Sequence, residues 1–203
     1  MNHIIGIIGT NSEQSTNRTL LTFMARHFAK DATMEVVEIK DIPMFNKPSN
    51  MEVPKEVLAL AAKIEAADGV IISTPEYDHA VTASLMNALS WLSYGIYPFV
   101  DKPVMITGAS YGTLGSSRAQ AHLRQILNAP ELKARIMPSS EFLLGHSLQA
   151  FDEEGNLKDQ NQVAELEGLF SDFTTFMSIM KQLNHAHEAN KKAAENFSWE
   201  DNK

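Results

Sequence analysis

Residues 3–17 read His3-Ile4-Ile5-Gly6-Ile7-Ile8-Gly9-Thr10-Asn11-Ser12-Glu13-Gln14-Ser15-Thr16-Asn17, and a segment of helical period runs on to about Lys30. The isoleucines show no polar alternation, which marks a strand buried on both faces. The polar stretch after Gly9 opens directly into the helix, which Ser15 or Asn17 can cap. The same order then recurs: Met34–Ile39, Gly69–Ser73, Pro103–Ala109 and Arg135–Leu144 read as strands, each followed by a longer helical segment. Such alternation predicts an α/β fold, a parallel sheet covered by helices on both faces and joined by right-handed crossovers.

The helices are legible from their spacing. Pro54 suits a first helical position, with Val57, Leu58, Ala61 and Ile64 on one face. Leu85, Leu89 and Leu92 mark another, and Ala119, Leu123, Ile126 and Leu127 a third, which Asn128-Ala129-Pro130 stops. The longest, near Gln162–Leu183, repeats Val163, Leu166, Phe170, Phe173, Met177 and Met180 at alternating intervals of three and four. That stripe fits a last helix packed on the sheet or a seam for a second chain. Lys40–Lys55 carries three prolines and reads as a loop, and Phe151–Gln160 reads as a polar turn around Gly155-Asn156. A single domain is expected over residues 1–183, followed by a polar C-terminal tail, 184–203, that frays or forms a loosely docked helix. Its His185 and His187 lack a third ligand at helical spacing, so no metal is expected.

Composition narrows the classes. The chain has 203 residues, 17 Lys plus Arg against 25 Asp plus Glu, a formal charge of −8, and no Cys. The acidic balance argues against nucleic-acid binding. Without Cys there are no disulfides, thiolate nucleophiles or Cys-held metals. No stretch approaches the roughly 20 apolar residues that cross a bilayer, and Met1-Asn2-His3 supplies no cationic leader. No membrane insertion and a cytoplasmic location are expected.

In an open parallel sheet the ligand lies at the carboxyl ends of the strands, so the loops after the first, third and fourth strands belong together. The first, Gly9–Asn17, is rich in hydroxyls and amides at a helix N-terminus: a site for one phosphate monoester, or a richly capped helix. It is neither a P-loop nor a dinucleotide fingerprint. The second, Ser73–Leu92, places Pro75 and Tyr77 where a planar ring could be walled, or leaves Tyr77 and Trp91 as half-buried surface aromatics. Glu76, Asp78 and His79 suggest acid–base work, though a charged turn between strand and helix is the commoner explanation. The third, Gly108-Ala109-Ser110-Tyr111-Gly112-Thr113-Leu114-Gly115, contains G-x-S-x-G, which raises a serine hydrolase with Ser110 as nucleophile, Asp152 or Asp159, and His185 or His187. The match reads as accidental, because a nucleophile elbow turns straight into a helix and this loop runs on. Its glycines suit close approach to a flat ligand. Arg118 reads as a helix-surface charge.

With these residues in view the chain resembles the NADPH-dependent FMN reductase family, flavodoxin-like flavoenzymes that include quinone, azo-dye and chromate reductases. Gly9, Thr10, Ser15 and Asn17 match the family's first loop. Pro75-Glu76-Tyr77 with Leu85, Asn87, Ala88, Leu89 and Trp91 match its second motif. Gly108, Ala109, Ser110, Gly112 and Gly115 with His122-Leu123-Arg124-Gln125 and Leu127 match its third. Asp41–Asn46 and Phe151–Leu157 also look like family punctuation.

The resemblance implies a three-layer α/β sandwich with a five-stranded parallel sheet in the order 2-1-3-4-5, and FMN held non-covalently. Thr10, Ser15, Thr16 and Asn17 would take the phosphate. Pro75, Glu76, Tyr77 and Asp78 would line the ring, and Ser110, Gly112 and Gly115 would contact its pyrimidine side. Ser12 stands where the family commonly has Arg, which leaves neutral donors at the phosphate unless Arg18 reaches in. The implied function is an NAD(P)H-dependent oxidoreductase passing electrons through FMN to a quinone, azo compound, free flavin or similar acceptor. No side chain is expected to act as acid or base, since the cofactor carries the chemistry. A homodimer or homotetramer is implied. A flavodoxin-like electron carrier or FMN-binding module without NAD(P)H activity is the alternative.

Overall fold

The computed structural model describes residues 1–138, 141–183 and 186–196. Six strands, β1 (Asn2–Ile8), β2 (Ala32–Val37), β3 (Gly69–Ser73), β4 (Pro103–Ala109), β5 (Arg135–Ile136) and β6 (Phe142–Leu144), alternate with α1 (Thr16–His27), α2 (Lys55–Ala66), α3 (Ala83–Trp91), α4 (Ser117–Leu127), α5 (Ser147–Ala150), α6 (Gln160–Met180) and α7 (His187–Asn196). The sheet runs β2-β1-β3-β4-β5 and all its strand pairs are parallel.

Its fifth position is the one departure from the expected strands. Arg135–Leu144 is not continuous: β5 pairs with the start of β4 and β6 with its end. Pro138 lies between them and has no N–H to donate to a ladder.

Each face of the sheet carries its own core. Ile5 and Ile7 of β1 pack with Val57, Leu60, Ala61 and Ile64 of α2 and with α3 and α4, whereas Ile4 and Ile8 pack with α1 and α6. Both faces being covered is why β1 shows no polar alternation. On α2 the helical repeat selects Leu60 for the core and leaves Leu58 exposed, a correction to the face read from sequence. The stripe of α6 is spent inside: Val163, Leu166, Phe170, Phe173 and Met177 lie in the second core, and Phe170 stacks on Phe28 at 3.8 Å. Gly69 makes room for it, since a Cβ there would meet the Met177 sulfur at 2.5 Å.

The 40–54 loop is pinned rather than free. Asn87 accepts from the Phe45 N–H at 2.7 Å and donates to the Pro43 carbonyl at 2.9 Å. The Trp91 indole donates to the same carbonyl at 2.8 Å, and the Tyr94 hydroxyl to Pro48 at 2.8 Å. The Asp41–Asn46 and Leu85–Trp91 motifs are therefore two halves of one contact.

The segment read as a polar tail contains α7, which docks at the end of the sheet away from the chemistry-bearing loops. Asp101 accepts from Arg135 and from Asn190 and pairs with His187 at 3.1 Å. His185 lies outside the described residues.

Candidate functional site

The loops after β1, β3 and β4 converge on a cleft of about 560 Å³ at the carboxyl ends of the strands. Thr10, Ser15, Thr16, Asn17, Pro75, Glu76, Tyr77, Ser110 and Gly112 all line it, together with Gln14, His79, Ala109, Tyr111, Thr113, Leu114, Ser116 and Arg118. It sits where β1, flanked by β2 and β3, marks the reversal of strand order, the position at which open α/β sheets bind ligands.

One wall is the start of α1. Ser15 is its N-cap, and its hydroxyl accepts from the Arg18 N–H at 3.3 Å. The N–H groups of Thr16 and Asn17 belong to the first turn, where no helix carbonyl can reach them, so they face outward as donors. The Asn17 side chain is committed elsewhere. Its amide donates to the Ala109 carbonyl at 2.8 Å, and its oxygen accepts from the Ala109 N–H and the Ser73 hydroxyl, each at 2.9 Å. One buried amide thus ties α1 to the ends of β3 and β4 and sets the spacing of the three loops. The Thr16 hydroxyl shares a hydrogen with Ser147 at 2.8 Å.

Arg18 does not reach in. Its guanidinium forms a two-pronged pair with Glu38 and donates to the carbonyls of Ser12 and Glu13 at 3.0 and 2.9 Å. Hydrogen bonding to Glu38, aided by its charge and against partial burial, raises the pKa further. The arginine clamps the loop from behind. Ser12, whose hydroxyl donates to the Gln14 carbonyl, lies outside the cleft lining.

The opposite wall is Pro75-Glu76-Tyr77. Ser116, the N-cap of α4, sits at φ 69° with no side-chain cap bond, and Glu76 supplies the cap from outside the helix. Its carboxylate accepts from the Arg118 and Ala119 N–H groups at 2.9 and 3.3 Å and pairs with the Arg118 guanidinium at 3.4 Å. Arg118 is thus part of the cleft, not a free surface charge. After Tyr77 the chain turns tightly: Asp78 and His79 both have positive φ, and Tyr77 and Ala80 exchange backbone hydrogen bonds at 3.1 and 2.9 Å. That turn leaves Asp78 exposed and outside the lining while His79 remains on it.

The third wall is Ser110–Leu114. Gly112 faces open space, with nothing within 4 Å of where a Cβ would stand, as a backbone bordering a ligand requires. Gly115 has a different reason: φ is +57°, and a Cβ would run into the Leu143 backbone, so it seats the loop on β6 and does not line the cleft.

Among the described residues no Ser-His-Asp triad forms around Ser110. The Ser110 hydroxyl donates to the Gly112 carbonyl at 3.3 Å, Asp152 and Asp159 are spent on a turn and on the cap of α6, and His187 is paired with Asp101 at the far end of β4.

Similarity to known proteins agrees with this geometry. The chain matches the NADPH-dependent FMN reductase family over residues 2–149. The chain belongs to that family. Among its relatives, NADH:(hydroxy)cinnamate reductase subunit CrdA of Vibrio ruber is 53% identical over 98% of both chains. NADH-dependent flavin reductase subunit 2 of Lactobacillus johnsonii is 38% identical over 86% of this chain and 96% of its own. Quinone reductase of Escherichia coli is 40% identical over 74% and 82%. Among solved structures, the flavoenzyme NAD(P)H:(acceptor) oxidoreductase FerB of Paracoccus denitrificans shares the fold with a TM-score of 0.74 at 23% identity, over 90% of this chain and 98% of its own. Like its family, the chain is an oxidoreductase of FMN and NAD(P)H. Among its described residues, no helix is long and apolar enough to cross a membrane.

Proposed function

We propose that FMN lies in the cleft with its phosphate over the N-terminus of α1, met by the Thr16 and Asn17 N–H groups and by the hydroxyls of Thr10, Ser15 and Thr16. Its ring rests between Pro75-Glu76-Tyr77 and Ser110–Leu114. The observation that carries this reading is a cleft joining a helix N-terminus at one end to backbone with open space at Gly112 at the other. Bound FMN supplies a ring that takes hydride from reduced nicotinamide and passes electrons to an acceptor. The chain's residues orient it and hold the charge: the α1 dipole favours the phosphate, while Glu76, fixed on α4, keeps its carboxylate off the open side. Asn17 acts by spacing the walls, and Asp78 and Gly115 have structural roles in this reading.

The relatives' names support a quinone or flavin as the acceptor; azo compounds belong to the same class of planar two-electron oxidants, and in this reading the protein works in the cytoplasm, where reduced nicotinamide is held. Assembly into a homodimer or homotetramer belongs to the same reading, with Met44 and Met86, both exposed beside the Phe45–Asn87 contact, as apolar surface for a second copy. A second reading rests on a specific observation: two of the relatives are named as subunits. In it the acceptor is carried by a different polypeptide.

The experiment is anaerobic mixing of the FMN-loaded protein with NADH and with NADPH, followed by visible absorbance and then addition of a quinone. Rapid bleaching and recovery of the flavin band support the reductase. A bound flavin that neither nucleotide bleaches overturns it in favour of an electron carrier. Light scattering separates the assemblies, since a monomeric mass at micromolar concentration removes the homo-oligomer.

A further inference from the structure

Three candidates for acid–base work stand side by side in the sequence, Glu76, Asp78 and His79, and the fold separates them. The Glu76 carboxylate is spent on the Arg118 and Ala119 N–H groups, and Asp78 lies outside the cleft lining. His79 is on that lining and exposed, so it meets both the cleft and solvent.

The backbone that carries this imidazole is costly. Asp78 and His79 have φ of 49° and 64° between the mutual hydrogen bonds of Tyr77 and Ala80, a two-residue turn whose second position favours Gly. A histidine kept there against that preference is the kind of backbone outlier that clusters at functional sites. The neighbouring groups are poorer acids. Arg118 faces the cleft from α4, but an arginine does not give up its proton. Tyr77 and Tyr111 bring phenols, which are weaker acids than an imidazolium. His122 of α4 lies off the lining, where its Nδ1 accepts from the Val81 N–H at 3.4 Å.

Reducing a quinone to a hydroquinone takes two electrons and two protons. A hydride supplies both electrons and one of the protons, so the cofactor leaves the second proton to an acid. We propose that His79 is the catalytic acid toward the acceptor, its imidazolium giving that proton to a quinone oxygen as hydride arrives. The imidazolium N–H bond breaks, an O–H bond forms, and the neutral imidazole takes a new proton from the solvent to which it is exposed. The inference rests on the reductase reading of the cleft. Hydride transfer from nicotinamide to flavin needs no such acid, so His79 acts in the second half of the cycle.

The test is stopped-flow oxidation of the FMN-loaded, NADH-reduced full chain by benzoquinone and by ferricyanide, a one-electron oxidant that takes no proton. His79→Asn keeps a residue that accepts positive φ and has no acidic proton to give, and FMN titration reports the state of its cleft. His79→Gln repeats the measurement with a second neutral amide. The ratio of the benzoquinone rate to the ferricyanide rate is expected to fall about a hundredfold in both variants, the low end for a positioned acid because water reaches the site. In the wild type the benzoquinone rate is expected to fall as pH rises through the range in which histidines titrate, about 5 to 8, and in the variants to be flat. An unchanged ratio, or a pH dependence that persists in the variants, overturns the proposal. An equal loss with both oxidants also overturns it and assigns His79 to holding the flavin. A wild type that binds FMN but is not reduced by NADH removes the reductase reading, and this proposal with it.

Discussion

Single residues in the three loops divide into those that face the cleft and those that hold it open, and sequence alone does not tell them apart. Asn17 belongs to a binding motif by position, yet its side chain is consumed by Ala109 and Ser73. Asn17→Ala is therefore expected to cost about 2–3 kcal/mol in denaturant unfolding of the flavin-free chain, because it strands buried partners at the ends of β3 and β4. A loss of FMN affinity without a loss of stability would refute this structural role. Arg18 and Ser12 show the same division. The loop clamp by Arg18 leaves the phosphate end with neutral donors, so Ser12→Arg is expected to tighten FMN binding about tenfold and to make it more salt-dependent. Flavin titration at two ionic strengths measures both effects. Gly112 and Gly115 look alike in the motif, but only the neighbours in space, nothing for one and the Leu143 backbone for the other, separate a ligand wall from a packing contact.

Elements are the most legible level, because the period of apolar residues is a local property. β1, β3, β4 and the helices α1, α2, α3, α4 and α6 fall within a few residues of their expected ends, and the continuous apolar runs on β1 and β3 announce two covered faces. The fifth strand reads as continuous because its alternation says nothing of Pro138 breaking the ladder. The coupling between elements is also hidden. Asp41–Asn46 and Leu85–Trp91 stand out as separate motifs, and only their meeting at Asn87 and Trp91 explains both. Asn87→Ala removes a bond to the Phe45 N–H and another to Pro43. It is expected to cost about 1–2 kcal/mol and to expose the 40–54 loop to limited proteolysis while the rest of the chain resists. Uniform resistance to protease would show that Trp91 and Tyr94 hold the loop without it.

Across the whole molecule the sheet has a chemical end and a structural end. At the structural end burial raises the Asp101 carboxyl pKa, but hydrogen bonds from Asn190, His187 and Arg135 outweigh it and leave the pKa below the ordinary value. A depressed carboxylate pKa means that this contribution to stability is complete above the unfolded value near 3.8 and is lost as pH falls through the lower folded value. Acid is accordingly expected to release α7, and Asp101→Asn, which tolerates the φ of 58° there, to weaken its docking at neutral pH. Protease protection of residues 186–196 against pH reads this out, and protection indifferent to both acid and substitution would refute it. The sequence by itself determined the class, the parallel sheet, the three loops and the family, because apolar period, turn chemistry and motif spacing are written along the chain. Tertiary structure alone decided that Arg18 faces Glu38, that Glu76 caps α4 and that Asn17 is a strut. Those are contacts between residues distant in the chain, and a side chain's partner depends on the space in which the folded backbone leaves it.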